Sequence, residues 1–322
     1  MIEINNYKLP SKWEEFSPEE FLTVTRYVSL FAEGVFSVKQ TKIHLFCTLT
    51  NFRIERLKPN VRQKFTDNLL KLLENFNFFY EIIYSPAGKF KNISPATREL
   101  LRKREPAEIE DTEARFAEKL KRSYVPDLLI RRQLIPEIKV SRRQKLKGYS
   151  FDCCRIPETN LTAEQFIDAN QAYETFEETR DVAYLDLLIS ILYCQPYSSE
   201  RARTLEEQVQ LVSMDWKNAI LLNYMGVLNY LFKETKYSIL FSQAGSKAKK
   251  KNQLGMTAIL FSMSEKGYGS LQEVAKLNLF TFLDLIYKNI SDAVNECLSL
   301  EMSKDEISEK LDIPMNVINE FV

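Results

Sequence analysis

Three short segments of the chain repeat the pattern that starts an α-helix, and this pattern constrains the fold more than any other feature. Residues 16–21 read FSPEEF, residues 161–166 read LTAEQF and residues 302–307 read MSKDEI. In each, a Ser or Thr accepts a hydrogen bond from the backbone three residues later, and the Glu or Gln at that position bonds back to it. Apolar residues on both sides of this capping box pack together. We therefore predict a helix directly after each Ser or Thr.

The predicted start residues are Phe16, Ser17, Glu20 and Phe21, then Leu161, Thr162, Gln165 and Phe166, and finally Met302, Ser303, Glu306 and Ile307. Three uses of one pattern favour a start signal. Duplication of the two halves of the chain stays open as the alternative.

Apolar residues recur at helical spacing in most of the chain. Residues 18–34, 39–57 and 60–84 follow this spacing, and the longest stripe comprises Trp216, Ile220, Tyr224, Val227 and Leu231. Only eight of the 322 residues are Gly, which a helix tolerates poorly. The sequence therefore predicts a mainly α-helical protein.

The segment 86–160 differs from the rest, because it contains six of the eleven prolines and its charges are segregated. Residues 105–118 carry six acids against one base, and residues 119–147 carry ten bases against two acids. We interpret this segment as a connector, with a short β-hairpin around Val140 and residues 149–151. The predicted organisation is an N-terminal helical unit (1–85), the connector (86–160), a C-terminal helical unit (161–301) and a terminal helical hairpin (302–322).

The basic part of the connector is the strongest charge feature of the chain. Its candidate contact residues are Arg131, Arg132, Arg142, Arg143, Lys145 and Lys147. A basic patch can neutralise phosphates, but the acidic residues just upstream favour pairing within the chain or between subunits. The two tryptophans, Trp13 and Trp216, complete the set of candidate interaction residues.

Several classes of function find little support in the sequence. The chain has a single histidine, His44, whereas nucleophilic triads and most zinc sites depend on histidine. Histidine-dependent catalysis therefore has no second candidate residue. No cluster of glycines suits a nucleotide phosphate. The terminal hairpin has no base on its second helix, which argues against a DNA-reading helix-turn-helix. We expect no enzyme activity, no cofactor and no metal.

The cellular location follows from cysteine usage and hydropathy. The five cysteines are odd in number and form no CxxC pair, which favours a reducing compartment. The longest apolar stretch, residues 219–232, is too short to cross a bilayer. We expect a soluble cytoplasmic protein with no membrane partner, and we predict a polar loop at residues 242–255.

Four segments in this order resemble a group of tail-region proteins from phages and prophages of Bacteroidetes. They are LPSKWEEFSPEEF (9–21), NLTAEQFIDANQAYETFEETRDVAYLDLLISILYCQP (160–196), SMDWKNAILLNYMGVLNYLF (213–232) and GYGSLQEVAKLNLFTFLDLI (267–286). The resemblance covers about two thirds of the chain and supplies no catalytic residue. It implies a helical protein that acts through protein contacts during assembly of a phage tail.

The leading hypothesis is a tail assembly chaperone or accessory assembly protein that shields an aggregation-prone partner, such as a tape-measure protein. Its partners would be other tail or virion proteins. The first alternative is a virion structural component, a connector or ring subunit that associates with itself. The second is a nucleic-acid-binding protein that uses residues 131–147, for which a neutral net charge gives no general support.

Overall fold

A computed structural model of the protein describes residues 1–4, 7–85, 87–141, 143–241, 255–311 and 313–321. The chain is mainly α-helical, as predicted, and the strands that the structure describes form two-stranded sheets. It divides into two compact units, Met1–Leu129 and Ile130–Val322. This division falls inside the predicted connector, because residues 87–129 pack within the first unit and the residues after them within the second. No helix within the described ranges has both the length and the hydropathy to cross a membrane.

The first unit combines helices with two antiparallel ribbons, one formed by residues 2–4 and 7–9 and the other by residues 80–85 and 121–126. Its elements in chain order are β1 (Ile2–Ile4), β2 (Tyr7–Leu9), α1 (Pro18–Ala32), α2 (Val38–Leu49), α3 (Pro59–Leu72), β3 (Tyr80–Ser85), α4 (Ala87–Phe90), α5 (Pro95–Lys103), α6 (Ala114–Ala117) and β4 (Lys121–Pro126). Aromatic rings fill its core. The ring of Trp13 lies 4.8 Å from that of Phe78 and 5.9 Å from that of Phe21.

The predicted helix over residues 60–84 is wrong in its second half. Helix α3 ends at Leu72, and residues 80–85 form strand β3. Along β3 the side chains alternate, so that Tyr80, Ile82 and Tyr84 are buried. The partner strand β4 pairs Ile82 with Tyr124, 42 residues further along the chain. This long-range pairing gives a short aromatic run a strand conformation that its own spacing does not reveal.

The helix starts at Ser17 and Ser303 have the reciprocal geometry of the capping box. The Glu20 N–H donates to Ser17 Oγ (3.3 Å), and the Ser17 N–H donates to Glu20 Oε2 (2.9 Å). The Ser303 and Glu306 pair repeats this arrangement at 3.3 and 2.7 Å. The apolar residues beside the first box, Phe16 and Phe21, are buried and both contact Trp13.

At Thr162 only half of the predicted box forms. The Gln165 N–H donates to Thr162 Oγ1 (3.2 Å). The Gln165 side chain does not bond back, because it is fully buried and its Nε2 donates to the carbonyl of Ile191 (2.7 Å). The Gln165 side chain therefore links its own helix to the following one instead of completing the capping box. The apolar residues beside this helix start, Leu161 and Phe166, are buried as expected.

The second unit is built from consecutive helices that follow two short ribbons, β5 with β6 and β7 with β8. Its elements are β5 (Glu137–Lys139), β6 (Lys145–Lys147), β7 (Phe151–Asp152), β8 (Glu158–Thr159), α7 (Ala163–Thr179), α8 (Val182–Leu192), α9 (Ser199–Gln210), α10 (Met214–Lys233), α11 (Ser238–Phe241), α12 (Gly255–Glu265), α13 (Leu271–Ala275), α14 (Leu279–Ser299), α15 (Lys304–Leu311) and α16 (Met315–Ile318). The predicted polar loop lies outside the described residues at positions 242–254.

The predicted hairpin in the connector is present, but with different strands. Strands β5 and β6 flank the turn after Val140, and Ile138 pairs with Leu146. Residues 149–151, the other predicted strand region, contribute Phe151 to β7, which pairs with Thr159 instead. Ile138 and Leu146 are both buried, so the β5–β6 ribbon has one apolar face, and this fixes its register.

Helix α10 fixes the chain segment that leads into this hairpin. The Ile130 N–H donates to the carbonyl of Gly226 (3.1 Å), and a Cβ at Gly226 would lie 2.4 Å from Ile130 Cγ1. Three residues earlier, Asn223 Oδ1 accepts from the Leu134 N–H (2.8 Å), and its Nδ2 donates to the carbonyl of Arg132 (3.2 Å). The absence of a side chain at Gly226 and the amide of Asn223 therefore hold this segment against α10.

The terminal helical hairpin, α15 with α16, packs on the end of α14. Val294 and Cys297 of α14, Ile307 of α15 and Ile318 of α16 form a small buried core. Met302, the apolar residue before the third helix start, packs against this core. The hairpin is therefore part of the second unit and contributes to its packing.

Candidate functional site

Helices α7, α8 and α9 of the second unit line a partly open cavity in the described part of the chain. A two-residue connection makes α7 and α8 antiparallel neighbours: Arg180 ends α7 in the left-handed conformation (φ 57°), and Asp181 caps α8 by accepting from the Ala183 N–H (2.9 Å). After α8, residues 193–198 lead into α9, which also packs on α8. All three helices contribute side chains to one cavity.

The cavity has a volume of about 260 Å³, with an apolar floor and a polar rim. The floor consists of Ala172, Leu187, Ile191 and Ala202. In the first turn of α8, Tyr184 lines the cavity and is 37% exposed; Val182, two residues earlier, is 42% exposed. The site therefore presents apolar surface to whatever enters it.

The rim carries opposite charges on its two sides. Asp168 of α7 accepts a hydrogen bond from the hydroxyl of Tyr197, and no other donor in the described ranges reaches its carboxylate. Arg203 of α9 lines the same cavity and is exposed, without an ion pair to any described residue. Burial raises the pKa of Asp168, while the Tyr197 hydrogen bond and the positive charge of Arg203 act in the opposite direction.

Sequence reasoning missed this site, since its parts lie on three helices and share no motif. The site depends on contacts between distant residues: the hydroxyl of Tyr197 donates to Asp168, 29 positions earlier in the chain. Burial raises the pKa of Tyr197 well above its usual range, with a further contribution from the bond to Asp168. The phenol therefore stays protonated and acts as a donor.

The structure separates the predicted basic residues into two groups. Arg143, Lys145 and Lys147 are exposed on the β5–β6 hairpin, where Lys145 forms an ion pair with Glu137. Arg131 and Arg132 are half-buried in the segment before the hairpin, and Arg132 forms a β-bridge with Asp152. The remaining member, Arg142, lies outside the described residues.

The two tryptophans occupy different environments. Trp13 is a core residue of the first unit: only 3% of it is exposed, and its indole Nε1 donates to the carbonyl of Asp127 (3.0 Å). A partner could not reach it in the folded state. Trp216 is half-buried in the first turn of α10, so part of its ring faces solvent.

A buried lysine in the first unit has a structural explanation. Lys42 Nζ donates to the carbonyls of Leu73 (2.9 Å) and Glu74 (3.2 Å) at the end of α3, where backbone carbonyls lack helical partners. Burial lowers the pKa of Lys42 to about 8, and the charges of Glu108 and Glu74 act in the opposite direction. The ammonium therefore caps a helix rather than forming a reactive site.

His44 lies among aromatic rings and not among metal-binding side chains of the described residues. The centroid of its imidazole is 4.8 Å from that of Phe36 and 5.4 Å from that of Tyr27, and these two rings also stack on each other. Among the residues that the structure describes, no group of three or more His, Cys, Asp or Glu is placed to hold a metal ion.

Comparisons with known proteins add no relative. No protein-family model, curated protein or solved structure matches this chain.

Proposed function

We propose that this chain is a non-enzymatic protein-interaction factor that shields an aggregation-prone helical partner, as a tail assembly chaperone or accessory assembly protein of a phage or prophage. The observation that carries this proposal is the α7–α9 cavity, with its apolar floor and partly exposed opening. The sequence resemblance to phage tail-region proteins supplies the biological context.

The size of the cavity favours one side chain of a protein partner over a free ligand. Its volume of about 260 Å³ lies below the roughly 300–1,000 Å³ of typical small-molecule pockets. An amphipathic helix that binds a groove inserts apolar anchors at helical spacing. One large apolar anchor in contact with Leu187 and Ile191 would remove its own surface and theirs from water.

The rim charges specify the residues that flank this anchor. A base on the partner would face the Asp168 carboxylate, which has one hydrogen bond and can accept more. An acid on the partner would face Arg203, which has no ion pair among the described residues. The proposed occupant is thus an amphipathic partner helix with an apolar anchor between a basic and an acidic residue.

Co-expression with the tail proteins encoded beside this gene, followed by pull-down, tests the proposal. Wild-type protein should capture one of them, and Tyr184→Ser should weaken the capture because Tyr184 lines the cavity. Leu211→Ser is the matched control, since Leu211 is 73% exposed at the far end of α9.

Three outcomes decide between the alternatives. If wild-type protein captures no tail protein, the proposed function is wrong. If Tyr184→Ser and Leu211→Ser bind equally well, the function stands but the cavity is not its site. Mass spectrometry of purified particles adds the third outcome, because a chaperone is absent from finished particles and a structural subunit is present.

A further inference from the structure

The β5–β6 hairpin presents a basic face, which we define as Lys139, Arg143, Lys145 and Lys147. All four side chains are exposed, and Lys139 lies directly opposite Lys145 in the register. Like charges in directly opposite positions destabilise a ribbon. Glu137, which lies opposite Lys147 in the register, forms an ion pair with Lys145. The other three cations have no carboxylate within 4 Å among the described residues.

Several contacts hold the backbone of the basic face in place. Ile138 and Leu146, which alternate with the cations along the two strands, are buried. At the turn, Gln144 Nε2 donates to Gln208 Oε1 of α9 (2.6 Å). Below the ribbon, the Gly148 N–H donates to the carbonyl of Pro136 (2.9 Å). A partner that binds here therefore meets a preorganised surface.

The first unit carries a surface of opposite charge, the acidic strip at residues 110–118. The strip contains four acids and one base, Arg115; the acids are Glu110, Asp111, Glu113 and Glu118. Asp111 accepts from Thr97 Oγ1 (2.6 Å) and from the Glu113 N–H (2.9 Å), while Glu113 accepts from the Ser94 N–H (3.0 Å). These hydrogen bonds lower the pKa of both carboxyl groups, which therefore stay charged. Beside them, Phe116 is 70% exposed.

We propose that the acidic strip of one copy of this chain binds the basic face of a second copy. The two surfaces are different patches, so the contact is heterologous and leads to a ring or an open row of copies. Charge complementarity carries the proposal, and the exposed ring of Phe116 adds an apolar element that a purely ionic surface lacks. The contact uses residues that do not line the α7–α9 cavity.

A second copy fits the basic face better than nucleic acid does. Residues 137–147 contain no aromatic side chain on which a base could stack. The chain as a whole is neutral, with 44 bases and 44 acids, so it has no general attraction for phosphate. A second copy, in contrast, supplies the complementary strip at equal concentration.

Charge-reversed variants of the full chain test this inference by sedimentation analysis. One variant carries Lys139→Glu and Lys147→Glu in the basic face, and the other Glu110→Lys and Glu118→Lys in the acidic strip. Wild-type protein should increase in mass with concentration at low salt and dissociate at ~1 M salt, where the Debye length is about 3 Å. Each variant alone should be monomeric, and the two mixed in equal amounts should form a complex.

A matched control carries Lys266→Glu and Lys288→Glu, two exposed residues elsewhere on the second unit. It changes the net charge of the chain as much as the basic-face variant does, and it should associate like the wild type. Far-UV circular dichroism checks that each variant is folded. The inference is overturned if wild-type protein stays monomeric at low salt, or if the control loses association as well. Binding of a DNA duplex at the basic face without self-association would replace the second copy by nucleic acid.

Discussion

A buried ion pair in the second unit allows a sharp test of the packing described above. Lys217 Nζ of α10 lies 2.6 Å from Asp186 Oδ1 of α8, and the two side chains are only 4% and 7% exposed. The contact is mainly ionic, since Asp186 Oδ1 receives no hydrogen bond of normal geometry. Replacing either residue alone with an apolar one should therefore leave a buried charge without compensation.

The expected magnitude follows from two opposing terms. At this separation the attraction is about 6 kcal/mol with an effective dielectric constant of about 20. Removing each ion from water costs several kcal/mol, so the intact pair contributes little net stability. Lys217→Met or Asp186→Leu alone should lower the free energy of unfolding by ~3–5 kcal/mol. The double variant should lose far less than the sum of the two.

Denaturant unfolding monitored by tryptophan fluorescence measures these changes in the second unit. The chain has two tryptophans, Trp13 in the first unit and Trp216 in the second. In a Trp13→Phe background, the fluorescence reports on α10 alone, next to the substituted Lys217. A change in the transition midpoint at constant slope then gives the loss of stability.

An exposed ion pair of the same unit is the matched control. Lys236 Nζ lies 2.7 Å from Asp284 Oδ1, but these side chains are 55% and 51% exposed. Lys236→Met should cost less than ~1 kcal/mol, because water already solvates both charges. If Lys217→Met costs no more than Lys236→Met, or if the double variant loses as much as the two single variants together, burial does not set the energy and the reasoning is refuted.

Three further perturbations test other parts of the fold. Gly226→Ala should lower the free energy of unfolding by ~1–3 kcal/mol, because its Cβ would clash with Ile130; thermal unfolding checks this. Ser17→Ala should cost ~0.5–2 kcal/mol by the same assay and leave partner capture unchanged; lost capture in a folded variant would refute a purely structural role. Burial raises the pKa of Tyr193 and Tyr224, so the unfolded chain loses these protons at a lower pH than the folded chain. The free energy of unfolding should therefore fall above about pH 10. Urea unfolding at increasing pH measures this, and a constant free energy of unfolding there would contradict it.

Local signals in the sequence reveal helix starts well, because a capping box lies within four residues. The box at Ser17 and Glu20 forms as its pattern predicts. The same signal occurs at residues 37–40 and 270–273, where the structure also has reciprocal boxes that the sequence reasoning overlooked. Gln165 shows the limit of the pattern, because its side chain donates to the carbonyl of Ile191 instead of bonding back to the helix start.

Long-range contacts explain what the sequence did not reveal. The run of residues 80–85 becomes a strand only because residues 121–126 pair with it, and that partner is charged and has no clear strand pattern. The cavity depends on the packing of three helices, which brings Asp168 next to Tyr197 and places Arg203 in the lining of the same cavity. Likewise, Asn223 looks like an interruption of an apolar stretch until its two backbone partners are known.

The two proposed interactions meet on one helix, and this gives a final prediction. Arg203 lines the cavity near the start of α9, and Gln208 of the same helix anchors the basic hairpin. Five residues of helix separate them, or ~7.5 Å along the axis at about 1.5 Å per residue. A partner helix that follows α9 as far as Gln208, short of Leu211, would therefore collide with a second copy bound at the basic face.

The captured tail protein should accordingly compete with self-association. Its addition should lower the average mass of the wild-type assembly in sedimentation, in proportion to the occupied cavities. By linkage, self-association should weaken partner binding by the same factor, so the Lys139→Glu/Lys147→Glu variant should bind the partner more tightly than wild type at high protein concentration. An unchanged mass at saturating partner would instead mean that the partner leaves the second half of α9 free, and that one assembly can shield several partners at once.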